Sequence, residues 1–135
     1  MFIELPRINY FYNGRKYNYF YGVSSDKGPN WTSIVPDRLI KVDLRNKTNK
    51  HWSEEGKIPN EPIFVANPTS KWTDEDNGVI LSTLVDQKDD RVATLLILNA
   101  KDMQELARVE FKTTGPFTSS LHGQWANHAD KIHLL

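Results

Sequence analysis

Histidine is the residue type here best suited to hold a metal or to move a proton near neutral pH, and the chain has four: His51, His122, His128 and His133. Cysteine is absent, which removes thiolate metal sites, disulfides and thiol nucleophiles, and fits a reducing compartment. His122 stands apart from the others. Gly123 follows it and permits close approach of backbone or ligand, while Leu121 and Trp125 flank it with apolar surface. Taken alone, that setting favours a buried structural histidine over a metal ligand. His128 and His133 are five residues apart, a spacing that aligns on one face of neither a helix nor a strand, so a solvated role is expected. His51, beside Trp52, reads as a surface residue. Phosphate loops, nucleophile elbows and paired-histidine zinc motifs do not occur. Asp74-Glu75-Asp76-Asn77-Gly78 imitates a calcium loop, but its glycine falls at position five and Val85 stands where a bidentate acid is required, so a turn is expected.

Two glutamates bear on the weighing of His122. Glu4-Leu5-Pro6 and Glu61-Pro62-Ile63 are 57 residues apart, and Leu121-His122-Gly123 follows after another 61. A buried acid beside Pro62-Ile63-Phe64-Val65 requires a compensating partner. A metal-bound histidine would supply one, because its second ring N–H is commonly held by a carboxylate. A turn cap or an ion pair with a nearby Arg or Lys would serve equally, and spacing alone favours that plainer reading.

The elements that must carry these residues read as strands. Lys16–Val23 is rich in aromatics, Leu39–Leu44 alternates apolar with charged, and Pro62–Ala66, Gly78–Val85, Val92–Leu98 and Ala107–Lys112 follow between polar turn segments. Helix is confined to one expected turn at Lys101–Leu106. Lys41-Val42-Asp43-Leu44 falls opposite Ile97-Leu98-Asn99-Ala100 at a separation of 56, each followed by a further strand-like piece near His51-Trp52 and Val109–Phe111. The chain is therefore all-β with an internal repeat: one unit over residues 1–56, a second over 57–118, and the opening of a third with a tail over 119–135. Four strands per unit suit a propeller blade, although an eight-stranded sandwich has the same strand count.

Bulk properties narrow the classes further. Lys plus Arg balance Asp plus Glu at 17 each, so no global field draws nucleic acid to the chain. The longest apolar stretch, Val92–Ala100, is far short of the ~20 residues that cross a bilayer. Met1–Pro6 has the form of neither a signal nor a transit peptide, and Met1 is compatible with an internal methionine of a longer protein. Asn30-Trp31-Thr32 and Asn46-Lys47-Thr48 match the glycosylation pattern and are read as incidental loop sequence.

One family shares these landmarks in order and spacing. Glu4-Leu5-Pro6-Arg7-Ile8-Asn9-Tyr10, Lys16–Gly22, Pro36–Asp43, Glu61-Pro62-Ile63-Phe64-Val65, Glu75–Ser82, Leu95–Lys101, Glu105–Arg108 and His122-Gly123 resemble the C-terminal region of the carotenoid oxygenases. The resemblance covers residues 4 to 125 and is greatest to the animal branch. It implies a seven-bladed propeller with Fe(II) on its axis, held by four histidines, three of them hydrogen-bonded by outer glutamates. His122 matches the last ligand, and Glu4 and Glu61 match two of the three carboxylates; the remaining ligands, the third carboxylate and most of the substrate tunnel would lie upstream of Met1. Pro116–Leu121 and the tail after Trp125 depart from the family pattern.

The implied activity inserts O2 across a double bond of a carotenoid or apocarotenoid to give two carbonyl products. Two alternatives stay open: a non-catalytic carotenoid- or retinoid-binding β protein, and a retinyl ester isomerohydrolase of the same family. The resemblance implies no nucleic-acid partner, a cytoplasmic or mitochondrial location, and peripheral membrane contact through other parts of a longer protein.

Overall fold

Strong β-formers at every second position of Gly78–Asp86 and Val92–Asn99 generate the two longest strand partners, and the rest of the fold is arranged about them. The computed structural model describes residues 2–26, 35–71 and 73–126. The strands are β1 (Phe2–Arg7), β2 (Tyr19–Ser25), β3 (Arg38–Asp43), β4 (Thr48–Ser53), β5 (Lys57–Pro59), β6 (Ile63–Ala66), β7 (Gly78–Asp86), β8 (Val92–Asn99) and β9 (Glu105–Lys112), with a 3₁₀ turn at Tyr10–Tyr12. The first four form an antiparallel meander in the order β1-β2-β3-β4. In the second sheet β5 and β6 pair with the same edge of β7, as one interrupted strand, and β8 and β9 follow.

The two sheets are adjacent blades of a partial β-propeller. Tyr21, Val23 and Leu39 of the first pack against Ile80, Leu84, Leu96, Leu98, Ala100 and Met103 of the second, with Leu5, Trp52 and Phe64 at the margin. The Tyr21 and Phe64 rings stack with centroids 5.7 Å apart. Each fully buried large side chain contributes ~1.5–3 kcal/mol, so this seam outweighs the half-exposed Arg108–Glu54 ion pair across it, worth at most ~1 kcal/mol. In a sandwich the opposite face of β7 and β8 would be polar. It carries Val79, Leu81, Val85, Ala93, Leu95 and Ile97 instead, half-buried, as a blade flanked on both sides requires. The edge strands β4 and β9 are largely exposed; β4 is polar apart from Trp52, and β9 sets Glu105, Arg108, Glu110 and Lys112 beside its exposed Leu106, Val109 and Phe111, charges that discourage pairing with other chains.

Polar fastenings complete the seam. Glu75, in the turn before β7, reaches back to the start of β2: its carboxylate accepts from the Asn18 and Tyr19 amides at 2.6 and 2.8 Å and from Asn18 Nδ2 at 2.7 Å. Lys41 is almost wholly buried, 2.6 Å from Asp76 and 4.3 Å above the Tyr19 ring. The acidic run at 74–78 is thus a turn, closed by Asn77 N donating to Asp74 O at 3.1 Å, whose acids clamp the neighbouring blade. Glu75→Ala would strand two amides of the β2 entry, so its thermal midpoint should fall by the equivalent of ~2–4 kcal/mol. An unchanged midpoint in differential scanning calorimetry would mean that water replaces the carboxylate.

Lys101–Leu106 forms no helical turn. Residues 101–104 are the β8–β9 hairpin loop, closed by Asn99 N donating to Gln104 O at 2.8 Å, with Met103 at a left-handed φ of 65° and its side chain in the core, and Glu105 and Leu106 open β9. Tertiary burial of Met103 overrides the local propensity. Residues 119–126 carry no strand, because no neighbouring strand among the described residues offers them a ladder.

Candidate functional site around His122 and Glu61

The repeat is carried in the strand register. Glu4 lies opposite Val23, Val23 opposite Leu39, and Leu39 opposite Trp52. In the second sheet Thr83 faces Leu95 and Leu95 faces Val109. Asn60 N donates to Thr83 O at 2.9 Å, and the β6 register carried back two residues from Ile63–Leu81 brings Glu61 level with Thr83 as well, so the two acids occupy equivalent rows, Glu61 at a bulge. Both sit where the ladder is broken. The register of β1 shifts between Glu4 and Arg7, with Leu5 at φ 52°, and the second sheet is interrupted at Asn60-Glu61-Pro62. A bulge re-aims a side chain and tolerates proline, which has no N–H to donate. Holding a leucine in the left-handed region costs ~1–3 kcal/mol, offset here by packing of Leu5 against the core.

Glu61 is the best-connected group of the site. Its side chain is 4% exposed. Oε1 lies 3.0 Å from His122 Nδ1, and Oε2 accepts from the Gly123 amide at 2.9 Å and from Arg7 Nη2 at 2.8 Å. Arg7 Nη2 also donates to Gly123 O at 2.8 Å. Burial opposes ionisation of Glu61, but the Arg7, Gly123 and His122 donors outweigh it and hold the carboxyl below the ordinary glutamate value. The resulting stabilisation is complete above that ordinary value and is lost as pH falls through the lowered one. Glu61 thus pairs with an arginine and also lies within hydrogen-bond distance of the His122 ring.

The segment that bears His122 is docked by side chains. Asn60 Oδ1 accepts from Ser120 N at 3.1 Å, while Asn60 Nδ2 donates to Thr83 Oγ1 at 2.8 Å. Gly123 serves through its backbone, since a Cβ there would meet Ile63 at an ordinary 3.5 Å. An ionised carboxylate only accepts, so in the neutral ring the proton shared with Glu61 resides on His122 Nδ1, and the lone pair lies on Nε2, which has no hydrogen-bond partner among the described residues. With the His122 side chain 67% exposed, that lone pair is open to a ligand.

The structure brings His122 and Glu61 together and leaves Glu4 apart. Glu4 is exposed and has no hydrogen-bond partner among the described residues. His51 lies exposed on β4, opposite Ile40. His128, His133 and Asn30-Trp31-Thr32 lie outside the described residues. Arg7 and Asn60 carried no local signal; only their partners, 54 and 60 residues away, give them a role. Among the described residues no group of three or more His, Asp or Glu side chains could hold a metal.

A sequence model of the family described as retinal pigment epithelial membrane protein matches residues 1–127. The chain belongs to that family, the carotenoid oxygenases. It is 46% identical to the carotenoid isomerooxygenase of Drosophila melanogaster over 93% of its own length and 20% of the relative's. It is 41% identical to the beta,beta-carotene 15,15'-dioxygenase of Mus musculus, over 95% of this chain and 21% of that one. The chain thus spans about a fifth of the length of these relatives. Among solved structures, a chimera of apocarotenoid oxygenase and RPE65 superposes with a TM-score of 0.79 at 31% identity, covering 92% of this chain and 25% of the chimera. A cobalt-substituted Synechocystis apocarotenoid oxygenase superposes with the same score at 28% identity, over 92% of this chain and 25% of that one. This family member is all-β among its described residues, apart from the single 3₁₀ turn. No helix among its described residues is long and apolar enough to cross a membrane.

Proposed function

We propose that the chain is the C-terminal part of an Fe(II)-dependent carotenoid cleavage dioxygenase, in which His122 supplies one of four imidazole ligands and Glu61 and Glu4 act as outer carboxylates. The observation that carries this reading is the His122–Glu61 contact of 3.0 Å, which joins residues 61 positions apart and leaves Nε2 as the free donor. The donor chemistry fits: imidazole suits iron, and the carboxylate on Nδ1 fixes the tautomer and raises the basicity of the ligating nitrogen. The cobalt-substituted relative adds support, since cobalt substitution presupposes a metal site in that protein. One imidazole cannot hold iron against water with useful affinity, so the remaining ligands belong to the rest of a longer protein.

When bound, Fe(II) supplies activation of dioxygen. His122 orients one coordination direction, Glu61 keeps the proton on Nδ1, and the apolar surface of the complete propeller selects the scissile bond. Both atoms of O2 end in the two carbonyls, and no external reductant is consumed. The proposed substrates are carotenoids or apocarotenoids, with no nucleic-acid partner, in the cytoplasm or, like the human relative named as mitochondrial, in the mitochondrion.

The test is product analysis. The complete protein, loaded with Fe(II) and given β-carotene or an apocarotenoid in detergent micelles, is expected to release carbonyl products and consume one O2 for each double bond cut. Rearranged polyene without carbonyl formation would assign it to isomerisation, and bound but unaltered carotenoid would assign it to carriage.

A further inference from the structure

Arg7 lies at the end of β1, one blade before Glu61, and a single nitrogen of its guanidinium serves two acceptors. Nη2 is 2.8 Å from Glu61 Oε2 and 2.8 Å from Gly123 O, while the Gly123 amide is 2.9 Å from the same Oε2. The contacts close a ring that runs through the guanidinium, the carboxylate and both backbone groups of the residue after His122. A glutamate carboxylate turns about a broad, roughly two-fold terminal torsion. Held from two sides at Oε2, it cannot turn, and Oε1 is kept for the His122 ring. Arg7 Nε, meanwhile, is buried with no hydrogen-bond partner among the described residues. A buried donor left unpaired carries a cost that a smaller or apolar side chain would avoid, so this position is arranged around the two contacts that Arg7 does make.

We propose that Arg7 is a positioning residue for His122: it locks Glu61 Oε2 onto the Gly123 backbone, so that Oε1 stays on the Nδ1–H and the Nε2 lone pair keeps one direction. This rests on the reading of His122 as a metal ligand. Arg7 itself touches neither metal nor substrate.

The experiment compares wild type, Arg7→Met, Arg7→Lys and His122→Ala in the complete protein. The His122 ring ¹⁵N signals are recorded in the metal-free state and assigned by their loss in His122→Ala, and Co(II) affinity is then measured anaerobically. Wild type should show a single Nδ1-protonated tautomer. Arg7→Met should average the two tautomers and weaken Co(II) binding about tenfold, in the range typical of outer partners. Arg7→Lys, able to reach one acceptor at a time, should recover part of both readouts and keeps the test open if the Met variant fails to fold. A wild-type tautomer and affinity in Arg7→Met, or in Arg7→Lys where only that variant folds, would overturn the proposal while leaving His122 as ligand intact. Wild type that binds Co(II) no better than His122→Ala would instead overturn the ligand reading, and the ring signals would still decide the role of Arg7.

Discussion

His122→Ala in the complete protein should lose its bound iron, and oxygen-dependent cleavage with it, while the fold survives. The loss should exceed the ~10- to 100-fold in metal affinity that outer partners carry, because the substitution removes the donor atom itself. The fold should tolerate it for a reason visible in the contacts. The ring is two-thirds exposed and its one hydrogen bond among the described residues goes to Glu61, which keeps Arg7 and the Gly123 amide. The substitution leaves Oε1 of the buried Glu61 without that partner, which should lower stability by ~1 kcal/mol, the low end for an unmet buried acceptor, because removing the exposed ring lets water reach it. Iron per chain by atomic emission, products by chromatography and the thermal midpoint separate these effects. Full iron occupancy in the variant would refute the assignment of His122, and loss of iron together with a large drop in midpoint would point to a structural histidine.

What the sequence disclosed about this site follows from how each signal is encoded. Strands β7 and β8 declare themselves because alternate residues enter the seam with the neighbouring blade. Strand β4 (Thr48–Ser53) has no apolar alternation, since it is an exposed edge, and it emerges only through its place in the repeat beside His51-Trp52. The three residues of β5 are too few to carry a pattern. The Glu61–His122 relation was open to repeat arithmetic because each opens a unit, but its strength depends on Arg7, whose charge looks like any surface cation until the fold brings it across 54 residues. The helical turn expected at Lys101–Leu106 failed on tertiary grounds: Met103 is drawn into the core and the backbone bends to deliver it. Glu4 shares its register row with Glu61 yet has no corresponding ring beside it among the described residues. A repeat fixes where a side chain lies in its own sheet; the group it meets comes from the next one.

Glu61→Gln should be the more revealing substitution, because an amide is isosteric with the carboxylate but neutral, with an NH₂ donor in place of one acceptor oxygen. Three donors converge on Glu61: Arg7 and Gly123 at Oε2, and His122 at Oε1. If the amide oxygen faced His122, its NH₂ would confront two donors; if it faces Arg7 and Gly123, the NH₂ confronts one. The second arrangement wastes fewer hydrogen bonds and should prevail. His122 Nδ1 must then accept, its proton moves to Nε2, and the lone pair that would bind metal is gone. Metal affinity should therefore fall toward the upper end of the ~10- to 100-fold range for outer partners, and the metal-free ring should show ¹⁵N shifts of the Nε2-protonated tautomer. Glu61→Ala should differ in kind, since it strands the Arg7 guanidinium and the Gly123 amide and lowers the thermal midpoint as well. Unaltered affinity with an unaltered tautomer in Glu61→Gln would mean that the carboxylate does not set the ring, and that the 3.0 Å contact fastens the His122 segment to the blade without tuning its nitrogen.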